Sequence, residues 1–266
     1  MGKFLFVMLL FVQTSFGGFE RTEIGARAMA FGNSYVGLGD DVWAIYHNVG
    51  GIARLNKWQA SVFYSPQAYG LSELSLAAVA VVVPVKFGNF GFSVRKYGFE
   101  LYREISGTLS FANTISGVNL GLNINYHTVV IKSYGSAATI GLDFGVLVPV
   151  IDRLSWGIFI KNLNSPTIGS SKEKLPQAFS TGVAYLPLES LTLLLDFQKD
   201  ISFDPTARFG FEYRIINAVA LRGGVADEPS QFAGGIGLTY SIFQFDYAFS
   251  THQELGWTHS FSLTIR

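Results

Sequence analysis

Apolar and polar positions alternate with a period of two along most of this chain. In Phe243-Gln244-Phe245-Asp246-Tyr247-Ala248-Phe249-Ser250, every odd position is aromatic and every even one polar or small. Phe209, Phe211, Tyr213 and Ile215 stand against Arg208, Glu212 and Arg214, and Leu120, Leu122, Ile124 and Tyr126 against Gly121, Asn123, Asn125 and His127. The same pattern sets Phe261, Leu263 and Ile265 against Ser260, Ser262 and Thr264. Successive side chains of a strand point to opposite faces, so each segment predicts a strand with one apolar and one polar face. One apolar run, Leu76 to Val85, lacks the alternation. It is far shorter than the ~20 residues a spanning helix needs, is rich in Val and contains Pro84, so it also reads as a strand.

A water-soluble sandwich would show the same period with its polar face in solvent. Two features point instead to a membrane barrel. The apolar faces end in aromatic residues (Trp58, Tyr64, Trp156, Tyr185, Tyr213, Tyr240, Tyr247, Trp257), as interfacial girdles do. The polar faces carry Gly, Ser, Thr and Asn rather than Lys and Glu, which suits a confined lumen. Tight turns are expected at Gly88-Asn89, Ser116-Gly117, Asp152-Arg153, Glu189-Ser190, Ile216-Asn217 and Ser241-Ile242. Longer connections are expected at 65–73, 97–103, 130–136, 162–177, 199–206, 227–231 and 251–257. Short and long connections thus alternate, as in outer-membrane barrels with periplasmic turns and external loops. The expectation is an all-β fold: a transmembrane antiparallel β-barrel of about 14 strands over residues 55–266.

Composition supports this and narrows the function. Only 14% of the 266 residues are charged and 49% are hydrophobic, whereas a soluble domain carries about 25% charged residues. Lys+Arg and Asp+Glu both number 19, so no electrostatic footprint for nucleic acid exists. The absence of cysteine excludes thiolate metal sites, cysteine nucleophiles and disulfides. Residues 1–17 read as a cleaved signal peptide, with Lys3 ahead of an apolar stretch from Phe4 to Val12 and small residues Ser15 and Gly17 at the cleavage site.

Residues 18–54 break the strand pattern. Asp40-Asp41 followed by Val42-Trp43-Ala44-Ile45-Tyr46 predicts an N-capped helix over 42–48 ended by Gly50-Gly51. The lead-in from Gly25 to Gly39 is rich in small residues. Such a segment is expected to plug the lumen, with Asp40, Asp41, Trp43, Tyr46, Asn48, Gly50 and Gly51 as plug and gate residues. Asp40-Asp41 is expected to face the lumen arginines Arg208, Arg214 and Arg222. Glycines Gly37, Gly39, Gly50 and Gly51 are expected to let the segment shift.

Ala26, Arg27, Ala28, Tyr35-Val36, Asp40-Asp41, Ala44, Tyr46, Asn48, Gly51 and Ala53 together resemble the N-terminal signature of the PorV/PorQ branch of FadL-like outer-membrane proteins. Asp246-Tyr247-Ala248-Phe249 with Gly256-Trp257-Thr258-His259 resembles that family's closing hairpin. The chain departs from the pattern at Asn48-Val49-Gly50-Gly51, where the family has Asn-Pro-Ala-Gly, and at Arg266, where a terminal aromatic residue is usual. The resemblance implies a 14-stranded barrel passing fatty-acid-like hydrophobic molecules across the outer membrane. The PorV/PorQ branch itself implies the alternative, a component of a secretion or surface-attachment system.

No spaced catalytic motif occurs, and His47, His127, His252 and His259 are scattered. His127 reads as a polar wall residue and His259 as an interfacial one, so no enzyme activity, cofactor or metal is expected. The remaining candidates are the lumen charges Asp196, Arg208, Glu212, Arg214, Arg222 and Asp246, which can pair into a network that holds the plug, line a polar path, or hold a carboxylate ligand through an arginine. The expected partners are outer-membrane lipids and a small hydrophobic ligand, with secretion proteins in the alternative reading and a monomeric barrel.

Overall fold

A computed structural model describes residues 18–19, 23–228, 230–252 and 256–266. The signal expected over 1–17 lies outside them. The strands are β1 Gln59–Ser65, β2 Leu76–Val85, β3 Gly88–Gly98, β4 Tyr102–Ile115, β5 Val118–Ile131, β6 Gly135–Ile151, β7 Leu154–Lys161, β8 Thr167–Ile168 and β9 Glu173–Lys174. They continue as β10 Ala178–Leu188, β11 Leu191–Asp200, β12 Thr206–Ile216, β13 Val219–Ala226, β14 Gln231–Tyr240, β15 Phe243–His252 and β16 Gly256–Ile265. All but β8 and β9 form one closed antiparallel barrel, in which β7 pairs with β10 and β1 closes on β16. The small β8–β9 hairpin lies within the 162–177 connection. The expected 14-stranded barrel is therefore the fold.

Closure gives each barrel strand a hydrogen-bonded neighbour on both sides, the condition for crossing lipid. The alternation decides which face meets what. Phe209, Phe211, Tyr213 and Ile215 are exposed on the outside, while Glu212 and Gly210 are buried within. Trp58, Tyr64, Trp156, Tyr185, Tyr213, Tyr240 and Trp257 are exposed near the strand ends. An apolar outer band flanked by aromatics on a closed barrel is the surface of a membrane-spanning barrel.

Turns stand at Ser116-Gly117, Asp152-Arg153, Glu189-Ser190 and Ser241-Ile242, as expected. Two are displaced. The turn expected at Gly88-Asn89 is Lys86-Phe87, because Gly88 already pairs with Val85 as the first residue of β3. The turn expected at Ile216-Asn217 is Asn217-Ala218, since β12 runs through Ile216. At the opposite rim the connections expected over 97–103 and 130–136 shrink to 99–101 and 132–134, because the strands continue further.

Inside lies the segment before β1. Its pieces are α1 Ala26–Ala30, α2 Ala44–His47 and a 3-10 turn Val49–Arg54. The helix expected over 42–48 is thus shorter, and Gly50-Gly51 sit inside the 3-10 turn instead of ending a helix. The helix in the lead-in, α1, was not legible in the sequence. Phe19 packs with Ile168 and Leu175 of the 162–177 connection at the loop rim, while Leu55 leads into β1 at the short-turn rim, so the segment threads the barrel from rim to rim.

Candidate functional site

The lumen wall has three sectors. On β2 the inward residues Leu76, Ala78, Ala80 and Val82 are apolar and buried, and Phe63 of β1 joins them among the buried polar residues Gln59, Ser61 and Ser65 of the same strand. This is the consequence of the non-alternating run: β2 is apolar on both faces. From β4 to β6 the wall is an amide and hydroxyl lattice. Ser110 Oγ donates to Asn123 Oδ1 (2.6 Å), and Asn123 and Asn125 both donate to Asp143 Oδ2 (3.1 and 2.7 Å). From β11 to β15 the wall is charged.

The plug matches each sector. Trp43 packs edge-on against Phe63 at 6.0 Å between ring centres, and Ile24, Val42, Trp43, Ile45, Val49 and Ile52 form one apolar cluster with the β1–β2 strip. Against the amide sector the plug offers backbone oxygens: Asn123 Nδ2 donates to Ile45 O at 2.9 Å. Asn48 bridges plug and wall, donating to Val36 O (2.8 Å) and Val146 O (2.9 Å) while its Oδ1 accepts from Gly50 N (3.1 Å).

Against the charged sector stands Arg27. Its guanidinium donates to Asp40 Oδ1 (2.6 Å), Asp41 Oδ2 (3.4 Å) and, through Nε and Nη2, both oxygens of Glu212 (3.2 and 3.3 Å). Arg222 continues the chain, donating to Glu212 Oε2 (2.7 Å) and Asp246 Oδ1 (2.6 Å). Asp196 Oδ2 accepts from the backbone N–H groups of Tyr35 (2.6 Å) and Val36 (2.8 Å). Burial by itself would disfavour the Arg27 charge, but Asp40 and Glu212 hold its pKa well above the ordinary value. Burial pushes Asp41 up; Asp40, closest to the guanidinium, is held below the usual carboxylate range despite its burial.

These contacts correct three expectations. Asp40-Asp41 face Arg27 of the plug itself, not the wall arginines. Arg214 is exposed at the short-turn rim, where it donates to Glu189 O (2.7 Å), and takes no part in the lumen network. Arg208 donates to Gln198 Oε1 (2.6 Å), away from the Arg27 cluster. Glu212, Arg222, Asp196 and Asp246 do come together around the plug. The cation in this role is Arg27, the sole Lys or Arg between Gly25 and Gly51, and a lone cation in a small-residue stretch followed by two aspartates is the sequence signal that points to it.

Glycines make contact points here, not hinges. A Cβ at Gly37 would lie 2.5 Å from Val183 C of the wall, and one at Gly51 would lie 2.2 Å from Gly39 O. The wall answers in kind, with Gly121, Gly145, Gly157, Gly210 and Gly224 lying directly beneath plug backbone or Asn48. The shift that the glycine-rich flanks suggested therefore requires leaving close contacts.

Among the described residues, small cavities with polar linings lie between plug and wall. One, of 30 Å³, is bounded by Tyr46, Arg95, Ser106, Asn125, His127 and Lys161. Another, of 90 Å³, is bounded by Glu23, His47, Lys161, Ser180, Gln198 and Arg208. Both are smaller than the roughly 150 Å³ that accommodates benzene in an apolar protein cavity. His127 pairs with Ser106 Oγ (2.8 Å), and His259 faces outward with the Tyr247 hydroxyl (2.8 Å).

His47 Nε2 contacts Ile24 O at 2.8 Å, with Tyr35 against its ring. Loss of water around it pushes its pKa down to about 4; Arg208 adds to the effect and Glu23 opposes it. His47 is therefore neutral with the plug seated and takes up a proton near 6.5 when released. Seating should weaken as pH falls from about 6.5 toward 4 and be insensitive to His47 at higher pH. His47→Gln should remove that part of the acid response in single-channel conductance, and an unaltered response would assign it to another group.

No family model matches the chain, and no curated protein matches it. Among solved structures it is similar to the toluene transporter TbuX of Ralstonia pickettii, with a TM-score of 0.68 at 11% identity over 93% of this chain and 98% of that one. It is similar to the CymD monoaromatic hydrocarbon channel (TM-score 0.67, 10% identity, 92% and 97% covered). A Pseudomonas aeruginosa FadL homologue gives a TM-score of 0.63 at 12% identity, with 91% and 98% covered. The fold is that of the FadL-like barrels.

Proposed function

We propose that this chain is an outer-membrane channel for small hydrophobic molecules, closed while the plug is seated. The observation that carries the reading is the apolar strip Phe63, Leu76, Ala78, Ala80 and Val82 on the lumen side of β1–β2, covered by the plug. A lumen serving only water and ions gains nothing from such a strip, whereas an apolar solute gains about 25 cal/mol for each Å² it buries there. The named functions of CymD and TbuX, a hydrocarbon channel and a toluene transporter, belong to proteins of the same fold and support the same class of cargo. In this reading the solute replaces Trp43 and Ile45 on the strip as the plug moves aside.

The PorV/PorQ-like alternative rests on the signature residues Arg27, Tyr35, Asp40, Asp41 and Asn48. All of them hold the plug's own shape or join it to the wall, so they speak for a shared plug rather than a docking surface. At the loop rim the 162–177 connection with its β8–β9 hairpin is the longest, and connections such as 99–101 and 132–134 have three residues each, so the docking area is limited.

Deleting residues 19–52 while keeping the signal should leave the barrel folded, raise conductance in planar bilayers and speed toluene entry into liposomes. Adding Ala80→Asp to the deleted form should slow toluene while sparing ion conductance. Conductance no higher than that of the intact protein would remove the gate, and equal toluene rates with and without the aspartate would remove the apolar route.

A further inference from the structure

The outer face of the barrel is unevenly built. On β15 and β16 it is aromatic, with Phe245 and Tyr247 both packed against Phe261. On β1 and β2, between the rim aromatics Trp58 and Tyr64, the outward side chains are small: Ala60, Val62, Val79 and Val81. A trench of 320 Å³ runs over them, with Phe92 and Leu263 among its walls. At Ile265 it meets a recess of 450 Å³ at the short-turn rim, lined by Lys57, Trp58, Pro84, Ile242 and Arg266. The floor is aliphatic and the mouth is cationic.

The mouth stands on a basic rim. Arg54, Lys57, Lys86, Arg153, Arg214 and Arg266 are exposed there, against Asp152 and Glu189. Arg54, Arg153 and Arg214 donate to the backbone oxygens of Leu38, Pro187 and Glu189. The Lys57 and Arg266 side chains have no hydrogen-bond or ion-pair partner among the described residues.

We propose that trench and mouth together bind one anionic glycerophospholipid. Its phosphate lies between the Lys57 ammonium and the Arg266 guanidinium, Trp58 sits at headgroup level, and an acyl chain follows Ile265, Val81 and Val62 along the barrel. Lys57 to Val62 spans about 17 Å of strand, close to half of the ~30 Å hydrocarbon thickness, so one leaflet's chain fills the trench. Net negative charge is required, since two cations on a basic rim attract anionic headgroups and are indifferent to zwitterionic ones. The site also lies on the shortest seam of the barrel, where β1 and β16 pair only from Ala60–Ile265 to Tyr64–Phe261. An acyl chain packed across that seam would hold it closed.

The test uses the full-length protein in neutral detergent, titrated with phosphatidylglycerol or phosphatidylcholine of identical chains and read by native mass spectrometry. One phosphatidylglycerol should be retained at about tenfold lower concentration than phosphatidylcholine. Lys57→Gln with Arg266→Gln should abolish that preference, while Arg153→Gln with Arg214→Gln, on the same rim but outside the mouth, should keep it. Val81→Trp, which fills the trench from the lipid side, should weaken retention of both lipids. Equal retention of the two lipids by the unaltered protein would overturn the proposal. So would an equal loss from the Arg153/Arg214 pair, which would mean diffuse attraction to the rim, or displacement of the lipid by millimolar inorganic phosphate, which would mean an ion site without a chain.

Discussion

Replacing Arg27 by alanine is expected to unseat the plug while leaving the barrel intact. The guanidinium is the common partner of Asp40, Asp41 and Glu212, and it is buried with Asp41 and Glu212, while Asp40 is partly exposed. Glu212 keeps Arg222 after the change, but Asp40 and Asp41 are left facing a carboxylate without a cation. Removing one partner of a buried ion pair costs about 3–5 kcal/mol, which shifts the balance between seated and released plug by roughly two to nearly four orders of magnitude. The strands take none of that cost, since their ladder bonds do not involve Arg27. Conductance of R27A should approach that of the plug-deleted protein, and residues 31–41 should become cleavable by added protease. Arg27→Lys should fall between, because an ammonium cannot offer the two-pronged geometry that meets both oxygens of Glu212. An alanine variant with unchanged conductance and protease resistance would show that the apolar strip seats the plug unaided.

Gly157→Leu is expected to give a similar opening by a different route. Gly157 faces the lumen from β7, and a Cβ there would lie 2.1 Å from Val36 O and 2.7 Å from Asn48 Nδ2. Neither can retreat alone, since Asn48 donates to Val36 O and to Val146 O of the wall. Overpacking usually costs about 1–3 kcal/mol, and a clash with backbone from a side chain as large as leucine lies at or beyond the upper end. The strand itself loses nothing, because glycine in a strand interior is a weak choice. Heat-resistant barrel migration should therefore be unchanged or improved while conductance rises. Gly107→Leu, on the outer face of β4 where a Cβ would meet no atom within 4 Å, should leave conductance unaltered. Equal effects of the two substitutions would trace the change to the barrel and not to the plug.

The sequence by itself determined the barrel, because the signal is local. Strand period places each side chain inside or outside, and breaks in that period at Ser116-Gly117, Asp152-Arg153 and Ser241-Ile242 mark tight turns within a few residues of chain. It also marked 18–54 as an apolar segment needing cover. What it left undecided depends on height along the barrel and on neighbours distant in sequence. Arg214 shares its face with Glu212, as parity requires, yet two residues further along the strand, about 7 Å, carries it out to the rim. Asp40-Asp41 required a cation, but only the fold of the lead-in through α1 brings Arg27 to them in place of a wall arginine. The glycines of plug and wall read alike as freedom or as contact until the backbones are stacked. The outer trench and its basic mouth exist only because barrel closure sets β16 beside β1, joining Lys57 to Arg266 across nearly the whole length of the barrel sequence.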